Sequence, residues 1–339
     1  MATISTINGV DENDIATFNG TTAANVTSKC GDTWAHAYDS HFMCVAAGGA
    51  GSQAGPPNHM TAGGGGGGLR TSWPPGGGGP DNTSESQIAL SGGQVYTVTI
   101  GAGGTDAGDN GENSSIVGSG VSIISLGGGS GAAQGGPAPI GPQAAGNGGS
   151  GGGGSYDVPT GQTAGTGNPA QGFPGGNGEA NGSRYPCGGG GGAAAVGHTY
   201  PAHSNIDGGA GKAVSITGTS YYWAGGGAGS NHSPSVSGSG GIGGGGKGMT
   251  YTTGASGSAG GSAITADADR AGGTNTGGGS GGSTWYDTSG DCNGGSGTVV
   301  LRIPTANYSG TTSGVPGGQI TTDGSDTIIR FTGTGSYTG

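Results

Sequence analysis

Gly63-Gly64-Gly65-Gly66-Gly67-Gly68 is the stretch on which the reading of this chain turns. Similar runs recur at residues 151–154, 188–192 and 243–246, and between about 48 and 297 glycine outnumbers every other residue. An isolated glycine segment loses more backbone entropy on ordering than any other sequence. It recovers that cost only if its N–H and C=O groups find partners. The extended helix of three residues per turn makes no internal hydrogen bonds, and its amides point outward. Without side chains, such helices approach closely and bond sideways. The expected ordered state is therefore a bundle of antiparallel polyglycine helices. The sequence is not a strict Gly-X-Y repeat, which excludes a collagen triple helix.

Disorder is the competing expectation, because 93 Gly and 16 Pro make up roughly a third of the 339 residues. Two features oppose it. Only 8% of residues are charged, whereas soluble disordered segments are charge-rich. Apolar β-type segments also recur at both ends and inside the glycine region. Phe42-Met43-Cys44-Val45-Ala46 reads as a strand entering that region. Residues 94–100 alternate, with Val95, Thr97 and Thr99 on one face and Tyr96, Val98 and Ile100 on the other. Residues 119–126 and 298–303 are further strands, the latter closed by Pro304. Residues 319–331 read as two strands around Asp323-Gly324. The expected fold is mainly β with an extended polyglycine helix bundle and essentially no α-helix. Its expected parts are an N-terminal β arm at 1–34, a glycine-rich domain at 35–304 and a C-terminal β segment at 305–339.

The arm carries an 11-residue repeat, the period being seen in Ile7-Asn8-Gly9-Val10, Phe18-Asn19-Gly20-Thr21 and Lys29-Cys30-Gly31-Asp32. Asn-Gly between short apolar segments signals a tight turn. The arm holds too few large apolar residues to fold alone. Ile4, Ile7, Ile15, Phe18 and Val26 are its candidate assembly contacts, on a partner or on sister chains.

The non-glycine stretches between the runs are expected to form loops at the bundle ends. They hold most of the aromatic residues: Trp73, Tyr156, Tyr185, Tyr221, Tyr222, Trp223, Trp285 and Tyr286. Recognition loops are often aromatic, and packing on glycine surfaces as bundle caps is an equal alternative. Cys30, Cys44, Cys187 and Cys292 match neither a redox nor a zinc pattern. Cys30 with Cys44, and Cys187 with Cys292, are disulfide candidates, and free buried thiols are the alternative.

The net charge is −11, and the eight basic residues are scattered. Nucleic-acid binding needs concentrated Lys and Arg and is not expected. GxGxxG matches carry no weight in this composition. The P-loop pattern near Lys247 fails because Gly248 stands where Ser or Thr must reach magnesium. No serine lies in a nucleophile elbow. The pairs His36/His41 and His198/His203 read as exposed loop histidines, and Asp106, Asp109 and Glu112 form an acidic loop without a repeated metal-binding motif. No enzyme activity, cofactor or metal is expected. The N-terminal residues lack a secretory signal, and no apolar run is long enough to span a membrane.

Residues 95–104 (VYTVTIGAGG), 111–116 (GENSSI) and 294–304 (GGSGTVVLRIP) resemble the glycine-rich domain of phage tail-fibre and related virion proteins. The N-terminal INGV/FNGT repeat is similar to attachment arms of tailed phages. Residues 331–338 are similar to the strand that often precedes such glycine domains. The resemblance implies a virion structural protein, made in the host cytoplasm without a signal peptide. It would be a fibre or fibre-like appendage and a homo-oligomer, expected to be a homotrimer, among other virion proteins. It also implies packed polyglycine helices with loops that contact a host-surface glycan or protein. The chain departs from that pattern by continuing past its glycine domain. Two alternatives are a self-assembling extracellular filament joined by strand addition and, less favoured, an ice-binding glycine-helix protein.

Overall fold

The structure is a computed structural model. It describes residues 37–51, 60–106, 108–133, 143–156, 161–179, 185–232, 238–250, 270–284, 292–315 and 319–339. It also describes the backbone pairing of short strands at 6–7, 10–11, 17–18, 21–22, 28–29, 32–33 and 254–255. Ile4, Ile15, Val26, Cys30, Trp285 and Tyr286 lie outside the described residues.

The arm repeat is a series of three antiparallel hairpins. β1 (Thr6–Ile7) pairs with β2 (Val10–Asp11), β3 (Thr17–Phe18) with β4 (Thr21–Thr22), and β5 (Ser28–Lys29) with β6 (Asp32–Thr33). The pairs Ile7↔Val10, Phe18↔Thr21 and Lys29↔Asp32 flank Asn8-Gly9, Asn19-Gly20 and Cys30-Gly31. The 11-residue period is thus one antiparallel strand pair per repeat.

The body begins with β7 (Ala37–Val45), β8 (Leu69–Thr71), β9 (Ile88–Ser91), β10 (Val95–Thr99), β11 (Ser114–Gly118) and β12 (Val121–Ser125). The hairpins β13 (Lys212–Val214)/β14 (Tyr221–Trp223) and β15 (Met249–Thr250)/β16 (Gly254–Ala255) follow. The chain then forms β17 (Thr298–Pro304), a 3-10 turn at Thr305–Asn307, β18 (Thr312–Ser313), β19 (Ile320–Asp323), β20 (Asp326–Phe331) and β21 (Gly335–Thr338). No α-helix occurs among the described residues, and the fold is mainly β.

Two sheets result. One has the order β19-β20-β17-β7-β8, with β9 on the outer half of β7; the other has the order β12-β11-β10-β21-β18. They pack face to face over Phe42, Cys44, Leu90, Tyr96, Val98, Ile116, Leu301, Ile329, Phe331 and Tyr337. The alternation read at residues 95–100 holds, since Tyr96 and Val98 are buried and Val95, Thr97 and Thr99 are exposed. The C-terminal residues 305–339 are built into both sheets, through β20 on β17 and β21 on β10. On its other face the first sheet packs Met43, Val45, Leu69, Val300 and Ile328 against Val214, Ile216 and Trp223.

The glycine region forms the expected bundle, and residues 60–68 run through its middle. Partners recur at every third residue, as a three-residue turn requires. The amides of Gly63 and Gly66 donate to Gly188 (3.2 Å) and Gly191 (2.9 Å). Those of Gly64 and Gly67 donate to Ser280 and Gly277, both at 2.8 Å, and those of Gly65 and Gly68 to Gly129 and Leu126, both at 2.8 Å. The carbonyls accept from three other segments: Gly63 and Gly66 from Gly153 and Ser150, Thr61 and Gly64 from Ser230 and Gly227, and Gly65 and Gly68 from Gly49 and Ala46. The segment is thus surrounded by six others. A Cβ on Gly63, Gly64, Gly65, Gly66 or Gly67 would overlap a neighbouring carbonyl oxygen. The unbroken glycine run follows from that central position. Segments consecutive in sequence alternate in direction, as expected. Neighbours in space do not all do so, since 63–66 and 188–191 run in parallel.

Candidate functional site

Because strands and glycine helices are continuous, the bundle has two unlike ends. Strands β7, β8, β10, β12, β14 and β17 each join a glycine segment directly, placing both sheets at one end, here the strand end. At the opposite, loop end stand Gly51 and Met60, Ala133 and Gln143, Tyr156 and Gly161, Glu179 and Tyr185, His232 and Gly238, Thr250 and Arg270, and Thr284 and Cys292. The loop 199–206 lies at the same end. Ala37, which starts β7, pairs with Ser91, and the amide of Gly93 donates to Gly339, so the first residue of β7 and the C-terminal residue both sit at the outer strand end.

The expected aromatic loop residues therefore fall into two groups. Tyr221, Tyr222 and Trp223 are not in a loop but form β14, and Trp223 is wholly buried beneath the guanidinium of Arg330 (5.4 Å to the ring centroid). Burial pushes the Arg330 pKa down. Tyr221 stands edge-on to Trp223, and Tyr222 is exposed. Trp73 belongs to the same end. It stands edge-on to His41, its Nε1 donates to Ser215 Oγ (3.1 Å), and the Arg302 guanidinium lies 4.4 Å from its ring centroid. Arg302 is itself buried, with Nε donating to Asp326 Oδ2 (2.7 Å) and Nη1 paired with Asp323 Oδ2 (2.9 Å). Burial pushes the His41 pKa down. These residues join the sandwich to the bundle.

Tyr156 and Tyr185 belong to the loop end. Their rings lie 4.8 Å apart, Tyr185 stands edge-on to His232, and both tyrosines pack with Met60, Ala62 and Cys187. Tyr156 is buried and Tyr185 half-buried, with a left-handed φ of +48°. Hydroxyl groups fill the last buried layer beneath them. Thr61 Oγ1 donates to Gly51 O (2.9 Å) and accepts from Ser283 N, while Ser230 Oγ donates to Thr61 O (2.7 Å).

A line of polar side chains crosses the flank of the bundle towards the same end. Asn110 Oδ1 accepts from Ser130 N and its Nδ2 donates to Asn147 O. Asn147 Oδ1 accepts from Thr166 N (2.7 Å), Asn177 Oδ1 from Ala164 N (2.9 Å), and Thr199 Oγ1 from Asn177 N (2.8 Å). The line continues through His198, Asn205 and Asp207, whose Oδ1 accepts from Ser239 N. His198 and His203 stack with centroids 4.0 Å apart. Their pairing is the least readable part of the sequence, because it depends on how the loop 199–206 folds back.

The acidic loop is used internally. Glu112 Oε2 accepts from Ala102 N, and Asp109 Oδ2 from Asp106 N. Among the described residues no group of three or more His, Cys, Asp or Glu is arranged to hold a metal ion, and no helix is long and apolar enough to cross a membrane. The disulfide expectation is not met for the described cysteines: Cys44, Cys187 and Cys292 are buried thiols. Cys187 and Cys292 start segments on different sides of the central helix, and Cys292 Sγ donates to Thr105 O. Burial pushes the Cys44 and Cys187 thiols up to about 11 and about 12.

Comparison with protein-family models, curated proteins and solved structures finds no match to this chain.

Proposed function

We propose that this chain is a non-enzymatic structural subunit of a tailed-phage virion, part of a fibre or fibre-like appendage. Its strand end and N-terminal hairpins join it to sister chains, as a homotrimer, and to other virion proteins. Its loop end meets a host-surface glycan or protein. The observation that carries the reading is polarity. Both sheets and the start of β7 lie at one end of a glycine bundle, and Met60, Tyr156, Tyr185 and Thr284 lie at the other. A body whose inner segments are held by lateral backbone bonds transmits position from one end to the other without a hinge. Of the candidate aromatics described at the loop end, Tyr185 carries the contact because it is half-buried and Tyr156 is buried, whereas Trp223 is wholly enclosed at the other end.

Electron microscopy of the purified full chain, followed by binding to an array of bacterial surface polysaccharides and outer-membrane proteins, tests this. The expected outcome is discrete particles of closed three-fold symmetry whose array binding weakens in Tyr185→Ala while assembly is unchanged. Open helical polymers would replace the appendage reading with the filament one. Array binding unaffected by Tyr185→Ala would remove that residue from the contact.

A further inference from the structure

A glycine helix at the edge of this bundle faces the problem of an edge strand: amides with no neighbour form a template for another chain. The central segment 60–68 has six neighbours, whereas among the described residues 161–167 bonds through its backbone to three segments, at Gly148, at Gly152 and Ser155, and at Gly175 and Gly178. On the remaining side the amides of Ala164 and Thr166 would face solvent, and there Asn177 and Asn147 supply the acceptors. The next segment repeats the arrangement, with Thr199 Oγ1 accepting from Asn177 N. Each bond replaces a carbonyl that a further helix would present, and all three are exposed. The outward positions of these segments, Ala144, Asn147, Thr163, Thr166, Pro174 and Asn177, are small or uncharged. Among the described residues of these segments Glu179, at the loop end, is the one charged side chain.

We propose that Asn147, Asn177 and Thr199 close this flank against a second copy of the same chain, whose matching flank would otherwise add to the bundle through the freed amides. A second copy fits because its own flank offers the same three-residue spacing of donors and acceptors, which a globular partner lacks. The proposal is independent of what the loop end binds.

The test compares the full chain with Asn147→Ala/Asn177→Ala/Thr199→Val and with Asn147→Asp/Asn177→Asp, by sedimentation velocity over a range of concentrations and by amide exchange. The alanine-valine variant is expected to form multiples of the parent's mass as concentration rises. At low concentration its Ala164 and Thr166 amides should exchange roughly five- to tenfold faster, the factor for losing one exposed hydrogen bond. The aspartate variant, whose carboxylates still accept, is expected to keep the parent's mass. A folded alanine-valine variant that keeps the parent's mass at every concentration would overturn the proposal. So would an aspartate variant that associates equally.

Discussion

The hydroxyls of Tyr38 and Tyr337 share a hydrogen bond of 2.7 Å between the first and last strands of the sandwich. Tyr38 lies on β7 and Tyr337 on β21, so the bond ties one sheet to the other. Both rings are buried, and burial with the Tyr337 hydroxyl raises the Tyr38 pKa far above the ordinary phenol range. Tyr38→Phe and Tyr337→Phe are each expected to lower stability by about 1–2 kcal/mol, with the double variant costing less than their sum because the bond is lost only once. Urea denaturation of the four proteins of the cycle measures this.

Gly64 has carbonyls on every side, and a Cβ there would overlap the Gly49 carbonyl. By contrast, a Cβ on Gly333 would meet only the Gly314 oxygen, at 3.8 Å. Gly64→Ala is expected to cost about 3 kcal/mol or more, since backbone cannot yield as a side chain does. Gly333→Ala should change stability by less than about 0.5 kcal/mol. Thermal melts of the two variants give the contrast.

The buried thiols make the fold sensitive to alkali. Unfolded, Cys44 and Cys187 ionise near 9.0; folded, they hold their protons to about 11 and about 12. Above the unfolded value the unfolded chain binds fewer protons, so stability falls as pH rises. The contribution is complete below pH 9, declines from there and is lost as pH passes the folded values. The urea midpoint should therefore fall between pH 9 and 11, and Cys187→Ala should flatten that fall. A midpoint independent of pH in this range would count against the buried thiols.

Arg302 sits at the junction of sandwich and bundle, its side chain 9% exposed and bonded to Asp326 and Asp323. Removing one partner leaves a buried cation undercompensated. Asp326→Ala should cost about 2–3 kcal/mol, somewhat below the ~3–5 kcal/mol of a fully buried pair because Asp326 is partly exposed. Arg302→Met/Asp326→Ala should recover part of that loss. Denaturation of single and double variants decides the point.

Much of the architecture was legible because two periods are simple. Alternation placed β10, apolar β-type runs placed β12 and β17, and Asp323-Gly324 placed the β19/β20 hairpin, whose Gly324 has a φ of +60°. The glycine runs announced laterally bonded helices, and their longest stretch marks the central one. The strands β8, β9, β13 and β14 escaped notice because three or four residues carry too little alternation to stand out. For the same reason Tyr221, Tyr222 and Trp223 read as loop. The division of the aromatic residues between two ends was illegible, since it depends on whether each glycine segment runs towards or away from the sheets. The Asn147 and Asn177 acceptors were also hidden: an outward asparagine in a glycine run looks like any polar surface residue.

The central claim is that Gly63 to Gly68 form fully enclosed backbone, with their amides donating on three faces to three different segments. Native-state hydrogen exchange of these amides tests it directly. The account predicts protection equal to that of the β17 amides, with exchange only through global unfolding. Exchange of these glycine amides at the rate of an unstructured chain would contradict it.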